Sequence, residues 1–196
     1  MFLRLAGCNL QCPKCDTDYT SKRTNFLCQE LLNELLETCV CESLYATPLL
    51  IITGGEPYRQ KAIFNFLNIA QKHFRSIQIE TNGTYSVGED PAANIHIVCS
   101  PKTPKVHDSV IVYCYNWKYV LGADHVAEDG LPTNVLGYDV RPARPPWHVD
   151  KTCVYLQPEH TSDEDQNKRN LDACVASCMK HGYRLCLQVQ KICNLP

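Results

Sequence analysis

The chain has 196 residues, 44% of them hydrophobic, with 19 basic against 21 acidic side chains, a formal net charge of -2 and a pI near 6.4. That is apolar material for one sizeable core, so a single domain over residues 1–196 is expected. The near-balanced charge excludes electrostatic binding of nucleic acid or an anionic membrane surface as the main task, and no apolar run approaches the ~20 residues needed to span a bilayer.

Thirteen cysteines, an odd number at irregular spacing, argue against a disulfide scaffold, and MFLRLAGCNL lacks the basic and long apolar regions of a secretory signal. Small-molecule partners and a reducing cytoplasm are therefore expected.

In chain order, Phe2 to Leu5 reads as a short strand that delivers the chain into a cysteine loop ending around Tyr19. From Asn25 onward, Phe26, Leu27, Leu31, Leu32, Leu35, Leu36 and Cys39 recur at helical intervals. Leu49 to Thr53 is short, continuous and apolar and stops at Gly54-Gly55, the pattern of a parallel strand covered on both faces. Ala62, Ile63, Phe66, Leu67 and Ala70 form a second helical face, and further strands are expected at Ile77–Glu80, Ile95–Cys99, Lys118–Leu121 and Val154–Gln157. The stretch from Asp129 to Asp150 carries four prolines and reads as loop. Asp163 to His181, with Leu171, Cys174, Val175 and Cys178 on one side, predicts a helix closed by Gly182, and Arg184 to Val189 predicts a last strand. Strands alternating with helices imply an α/β fold with a mostly parallel sheet, its working residues gathered at the carboxyl ends of the strands.

The chemistry-bearing signal is GCNLQCPKCDT, where Cys8, Cys12 and Cys15 have CxxxCxxC spacing. Three thiolates at that spacing can wrap one corner of an iron–sulfur cubane, leaving the fourth iron without a protein ligand, and an open position on a metal is where substrate or cofactor binds. The competing readings are a zinc knuckle or three ordinary thiols; no second CxxC or HxxxH pair follows at finger spacing. The ten other cysteines, including the pairs Cys39/Cys41 and Cys174/Cys178, mostly fall in apolar periodic segments, where packing as small hydrophobes is expected.

The cysteine motif after a first strand, followed by TGGEP at Thr53–Pro57 after a second, resembles the radical S-adenosylmethionine superfamily. Within it, RLAGCNLQCPKCDT, IETNGT at Ile79–Thr84, CSPK at Cys99–Lys102 and LQVQK at Leu187–Lys191 make the chain similar to the 7-carboxy-7-deazaguanine synthase family, nearly end to end. The resemblance implies a reduced partial (β/α) barrel of radical S-adenosylmethionine type. It implies that Cys8, Cys12 and Cys15 hold a 4Fe–4S cluster and that Gly54, Gly55, Glu56, Glu80, Asn82, Ser100 and Lys102 line S-adenosylmethionine. It further implies that Thr17 supplies an oxygen to Mg²⁺, and that Arg4, Asp16, Gln188, Gln190 and Pro196 lie at the substrate, where a guanidinium suits a carboxylate.

The reaction so implied is lyase chemistry. Reductive cleavage of S-adenosylmethionine gives a 5′-deoxyadenosyl radical, which takes hydrogen from C6 of 6-carboxy-5,6,7,8-tetrahydropterin, and ring contraction with loss of ammonia yields 7-carboxy-7-deazaguanine for queuosine-type biosynthesis. A flavodoxin-type electron donor and a homodimer are expected with it.

Two departures stand out. This sequence starts almost on the cluster loop, so the family's N-terminal strand, Gly-Glu-Gly turn and substrate-contacting Glu are missing from it; a minimal variant, an upstream start and a replaced contact all remain open. Gln190 stands where the family's ending normally has His, and Gln cannot titrate near neutrality. Two rival readings share part of the signal: an activase-like radical enzyme acting on a partner protein, and a non-catalytic iron–sulfur or zinc protein.

Overall fold

A computed structural model of the protein describes residues 1–18, 23–38 and 49–193, with the Gln190 side chain excepted. The expected ends of the cysteine loop at Tyr19 and of the first helix at Cys39, together with Cys41 and Pro196, lie outside the described residues. Two compact units form, the first from Met1–Gln11, Cys15–Cys99 and His107–Cys114, the second from Cys12–Lys14, Ser100–Val106 and Tyr115–Pro196.

In the first unit, strands β1 (Phe2–Leu5), β2 (Leu50–Gly54), β3 (Ile77–Thr81) and β4 (Ile95–Cys99) pair in parallel in that order. The register sets Arg4 beside Thr53 and Leu5 beside Gly54, while Ile77, Ile79 and Thr81 alternate inward along β3. Leu50, Ile52, Ile77 and Ile79 are fully buried on one face, while Ile51 and Gln78 on the other are half-buried, so these strands are closed on one side and partly covered on the other. Helix α1 (Cys28–Thr38) buries Leu32 and Leu35, and α2 (Ile63–Ala70) buries Ile63, Phe66, Leu67 and Ala70; the two helices pack together. A short helix, α3 (Asp108–Tyr113), starts where His107 Nδ1 accepts the Ser109 N–H, a cap whose sequence lacks the usual Ser, Thr, Asp or Asn.

In the second unit, β5 (Asn116–Leu121), β6 (Val154–Pro158) and the two-residue β7 (Arg184–Leu185) pair in parallel. Helix α4 (Glu164–His181) packs on β6. Asp163 caps it by accepting the Asp165 and Gln166 N–H groups, and Gly182 closes it in the left-handed region at φ +80°. All of these ladders are parallel; among the described residues, antiparallel pairing is confined to isolated bridges in the proline-bearing loop and just before it.

Three expectations need correction. Helix α1 begins at Cys28, not Asn25, because the Leu27 N–H is taken by the Glu30 carboxylate and Phe26 and Leu27 stay exposed. The buried stripe of α4 is Asn170, Cys174 and Ser177, while Leu171 and Val175 face outward, because Asn170 serves the Glu159 carbonyl and the Ala123 N–H. Strand β7 stops at Leu185; after the Cys186 N–H meets the Leu156 carbonyl, the chain turns into a four-residue helix, α5 (Val189–Ile192).

Candidate functional site

β1 leads the chain to Gly7, whose φ of +82° turns it into the cysteine loop. The end of β2 lies against this turn. The Gly55 N–H donates to the Leu5 carbonyl and the Glu56 N–H to the Gly7 carbonyl, both at 3.0 Å, and Gln60 Nε2 reaches the Ala6 carbonyl at 2.7 Å. A Cβ on Gly54 would overlap the Leu5 backbone, and one on Gly55 would overlap the Gly7 carbonyl. The Gly-Gly pair therefore lets the chain's own loop approach, and that contact is what holds the cysteine loop on β2.

Glu56 is completely buried. Its Oε1 accepts the Tyr58 N–H at 3.1 Å and the Thr81 hydroxyl at 2.8 Å, and its Oε2 accepts the Asn82 N–H at 2.7 Å. One carboxylate thus caps the 3-10 turn at Pro57–Arg59 and fastens it to the end of β3. The Tyr58 hydroxyl pays for this neighbourhood: burial first, then the Glu56 charge, push its pKa above the ordinary tyrosine range.

None of the eleven described cysteines is in a disulfide; Cys99, Cys114 and Cys174 are buried, and Cys15 is exposed. Burial, with Cys178 adding to it, pushes the Cys174 thiol up to about 12, the behaviour of a packing cysteine. Cys8 Sγ accepts the Leu10 N–H at 3.4 Å and the Asn82 side-chain amide at 3.9 Å, while the Cys15 thiol donates to the Thr17 carbonyl at 3.7 Å. Among the described residues no three His, Cys, Asp or Glu side chains converge as a single-ion cage would. A cubane makes a different demand, since each thiolate takes a separate iron, and soft thiol sulfurs outside any disulfide, with N–H donors at Cys8, suit it.

Arg4, Asp16 and Thr17 come together: Arg4 Nη1 donates to Thr17 Oγ1 at 3.3 Å, and that hydroxyl donates to Asp16 Oδ1 at 3.4 Å. A hydroxyl and a carboxylate are hard oxygens of the sort Mg²⁺ takes. Glu80 extends from the β3 face opposite Thr81 and accepts from Gln78 Nε2 at 3.1 Å. In the second unit, Lys102 Nζ binds the Ser100 carbonyl and hydroxyl at 2.7 and 2.6 Å, closing the CSPK turn. Gln188 caps α5 through its carbonyl, which accepts the Lys191 N–H; Gln190 lies within that helix.

Sequence reasoning missed Asn9, Thr81, Thr84 and Glu159. Asn9 and Thr84 stood inside quoted motifs, but their partners are 73 and 75 residues away in the chain. Glu159, just past the carboxyl end of β6, is buried and meets Lys14 Nζ at 2.8 Å as an ion pair, without the alignment of a hydrogen bond at Oε1. Its place after a parallel strand is the signal that could have found it. Lys14 is held as well by its N–H on the Leu136 carbonyl.

No protein-family profile matches the chain. It is 35% identical over 204 residues to a 7-carboxy-7-deazaguanine synthase of Rhodospirillum rubrum, covering 100% of this chain and 83% of the relative. This chain belongs to the 7-carboxy-7-deazaguanine synthase family. A family member from Rickettsia prowazekii is 29% identical over 100% of this chain and 80% of its own length, and one from Aquifex aeolicus is 33% identical over 65% and 58%. The crystal structure of QueE from Escherichia coli superposes with a TM-score of 0.60 at 20% identity, over 95% of this chain and 84% of that one. That likeness bears out the expected α/β fold, a mostly parallel sheet in a reduced partial (β/α) barrel. Among the described residues no helix is long and apolar enough to cross a membrane.

Proposed function

We propose that the chain is a radical S-adenosylmethionine lyase that converts 6-carboxy-5,6,7,8-tetrahydropterin to 7-carboxy-7-deazaguanine with loss of ammonia, in queuosine-type 7-deazaguanine biosynthesis. The observation that carries this reading is the 35% identity, along the whole chain, to a protein with that named activity.

Cys8, Cys12 and Cys15 hold the 4Fe–4S cluster, and Gly54, Gly55, Glu56, Glu80, Asn82, Ser100 and Lys102 form the surroundings of S-adenosylmethionine. When bound, this pair supplies the radical chemistry, and the protein supplies orientation and exclusion of water. Glu56 acts in that scheme through the backbone it anchors, since its carboxylate already receives donors from Tyr58, Thr81 and Asn82. Arg4, with Asp16 close by, offers the substrate carboxylate a two-toothed partner, and Thr17 offers Mg²⁺ a hard oxygen. Gln188, Gln190 and Pro196 complete the substrate contacts, with Gln190 hydrogen-bonding where a titrating His would otherwise stand. A flavodoxin-type protein delivers the electron, and the enzyme works as a homodimer in the cytoplasm.

The test is an anaerobic reaction of reconstituted protein with S-adenosylmethionine, reductant, Mg²⁺ and 6-carboxy-5,6,7,8-tetrahydropterin, followed by mass spectrometry. Formation of 7-carboxy-7-deazaguanine is expected. Release of 5′-deoxyadenosine without that product would overturn the substrate assignment, and absence of both would overturn the enzyme class.

A further inference from the structure

Asn82, at the end of β3, is 7% exposed and takes part in a closed ring of side chains. Its Oδ1 accepts the Thr84 N–H at 2.9 Å and the Thr84 hydroxyl at 2.6 Å. The amide nitrogen must then point the other way, where it donates to Asn9 Oδ1 at 3.0 Å and to Cys8 Sγ at 3.9 Å. Asn9 Nδ2 donates to Thr84 Oγ1 at 2.9 Å and closes the circle. Flipping either amide would set donor against donor or acceptor against acceptor, so the ring has one internally consistent direction. The backbone under it is fixed in turn by the bond from the Asn82 N–H to the buried Glu56 carboxylate.

Resting on the cluster reading above, we propose that the ring of Asn9, Asn82 and Thr84 positions Cys8 as a cluster ligand, and that the Asn82 amide, by donating to the Cys8 sulfur, raises the reduction potential of the bound cluster. Reduction adds negative charge to a site bounded by thiolates, and an N–H directed at sulfur stabilises the more negative state more strongly. The Leu10 N–H, at 3.4 Å from the same sulfur, acts in the same sense, but only the Asn82 donor can be removed by changing a side chain. Because the ring is cyclic, loss of the Thr84 hydroxyl frees the amide that Asn82 aims at Cys8 and weakens the donor without deleting it.

The experiment is a redox titration followed by electron paramagnetic resonance on anaerobically reconstituted protein without S-adenosylmethionine, so that no cofactor contact enters the reading. Asn82→Ala is expected to make cluster reduction at least tenfold harder, a fall of 59 mV for one electron. Thr84→Val should shift the midpoint the same way by less, and Thr84→Ser, which restores the hydroxyl, should return it to the parent value. An unchanged midpoint in Asn82→Ala with full iron content overturns the inference. Should that variant take up no cluster, the Thr84→Val and Thr84→Ser pair decides, and an unchanged Thr84→Val midpoint overturns it. If the parent protein itself shows no cubane signal, the cluster reading falls, and the inference with it, before any variant is compared.

Discussion

Replacing Glu56 by Gln keeps the size of a fully buried side chain and changes what it can accept. The carboxylate takes three donors at 2.7 to 3.1 Å. A Gln carbonyl can retain the Tyr58 N–H and Thr81 hydroxyl on one oxygen, but its NH₂ then confronts the Asn82 N–H across what was the 2.7 Å bond. A charge-assisted hydrogen bond contributes about 1.5–3 kcal/mol, and a buried donor left unsatisfied costs about 1–3 kcal/mol. Taking the lower part of that sum, Glu56→Gln should destabilise the fold by about 3 kcal/mol. For a chain of this length each kcal/mol moves Tm by about 2–4 °C, so a fall on the order of 6–12 °C is expected by far-UV circular dichroism under anaerobic conditions. Thr81→Val, which removes the 2.8 Å hydroxyl and leaves the Gly83 N–H without its acceptor, should cost about 1–2 kcal/mol. In the double variant the two costs should fall short of their sum, because the residues share one carboxylate. A Glu56→Gln protein melting within about 2 °C of the parent would refute the assignment of Glu56 as the clamp between β2 and β3.

Gly55→Ala places a methyl group on the Gly7 carbonyl, which is backbone and has no rotamer to yield; a loss of about 3 kcal/mol is expected, with reduced iron uptake on reconstitution, and normal values of both would refute the close approach. Asp129 is pushed up by partial burial, but hydrogen bonds from Arg144, the Leu131 N–H and Arg141 outweigh this and hold its pKa below the ordinary 3.8. Its contribution to stability is present above the unfolded-state pKa and is lost as pH falls through the lower folded value, so Asp129→Asn should reduce the urea midpoint near neutrality and flatten its decline below about pH 4. Cys174, buried and with its thiol pushed up to about 12, should resist iodoacetamide at mildly alkaline pH in the folded protein, while exposed Cys193 reacts, as peptide mass mapping would show.

The strands were legible because LLIIT and IHIVC are mainly apolar runs too short for helices, even though Ile51 is only half-buried and His96 is exposed. Gly182 was legible for a local reason, a left-handed residue after a helix. RLCLQV failed as a full strand because its alternation finds no cover; Leu185, Leu187 and Val189 are exposed, and pairing ends after one rung beyond Leu185. The outward turn of Leu171 and Val175 depends on Asn170, whose partners Glu159 and Ala123 are remote in sequence. At the candidate site, the CxxxCxxC spacing is a short-range pattern that sequence alone displays. Asn9 and Thr84 declare nothing until the fold brings them together, since their chemistry is each other.

The two tryptophans make the second unit optically distinct. Trp117 is fully buried on β5, Trp147 is 96% exposed with its ring edge on His148, and the first unit has neither. Unfolding leaves the surroundings of Trp147 nearly as wet as before, so any blue-to-red displacement of indole emission comes from Trp117. A melt read by emission therefore follows one half of the molecule while backbone ellipticity averages both. Coincidence of the two curves would mean that the halves come apart together, and a gap between them would time one against the other without any added label.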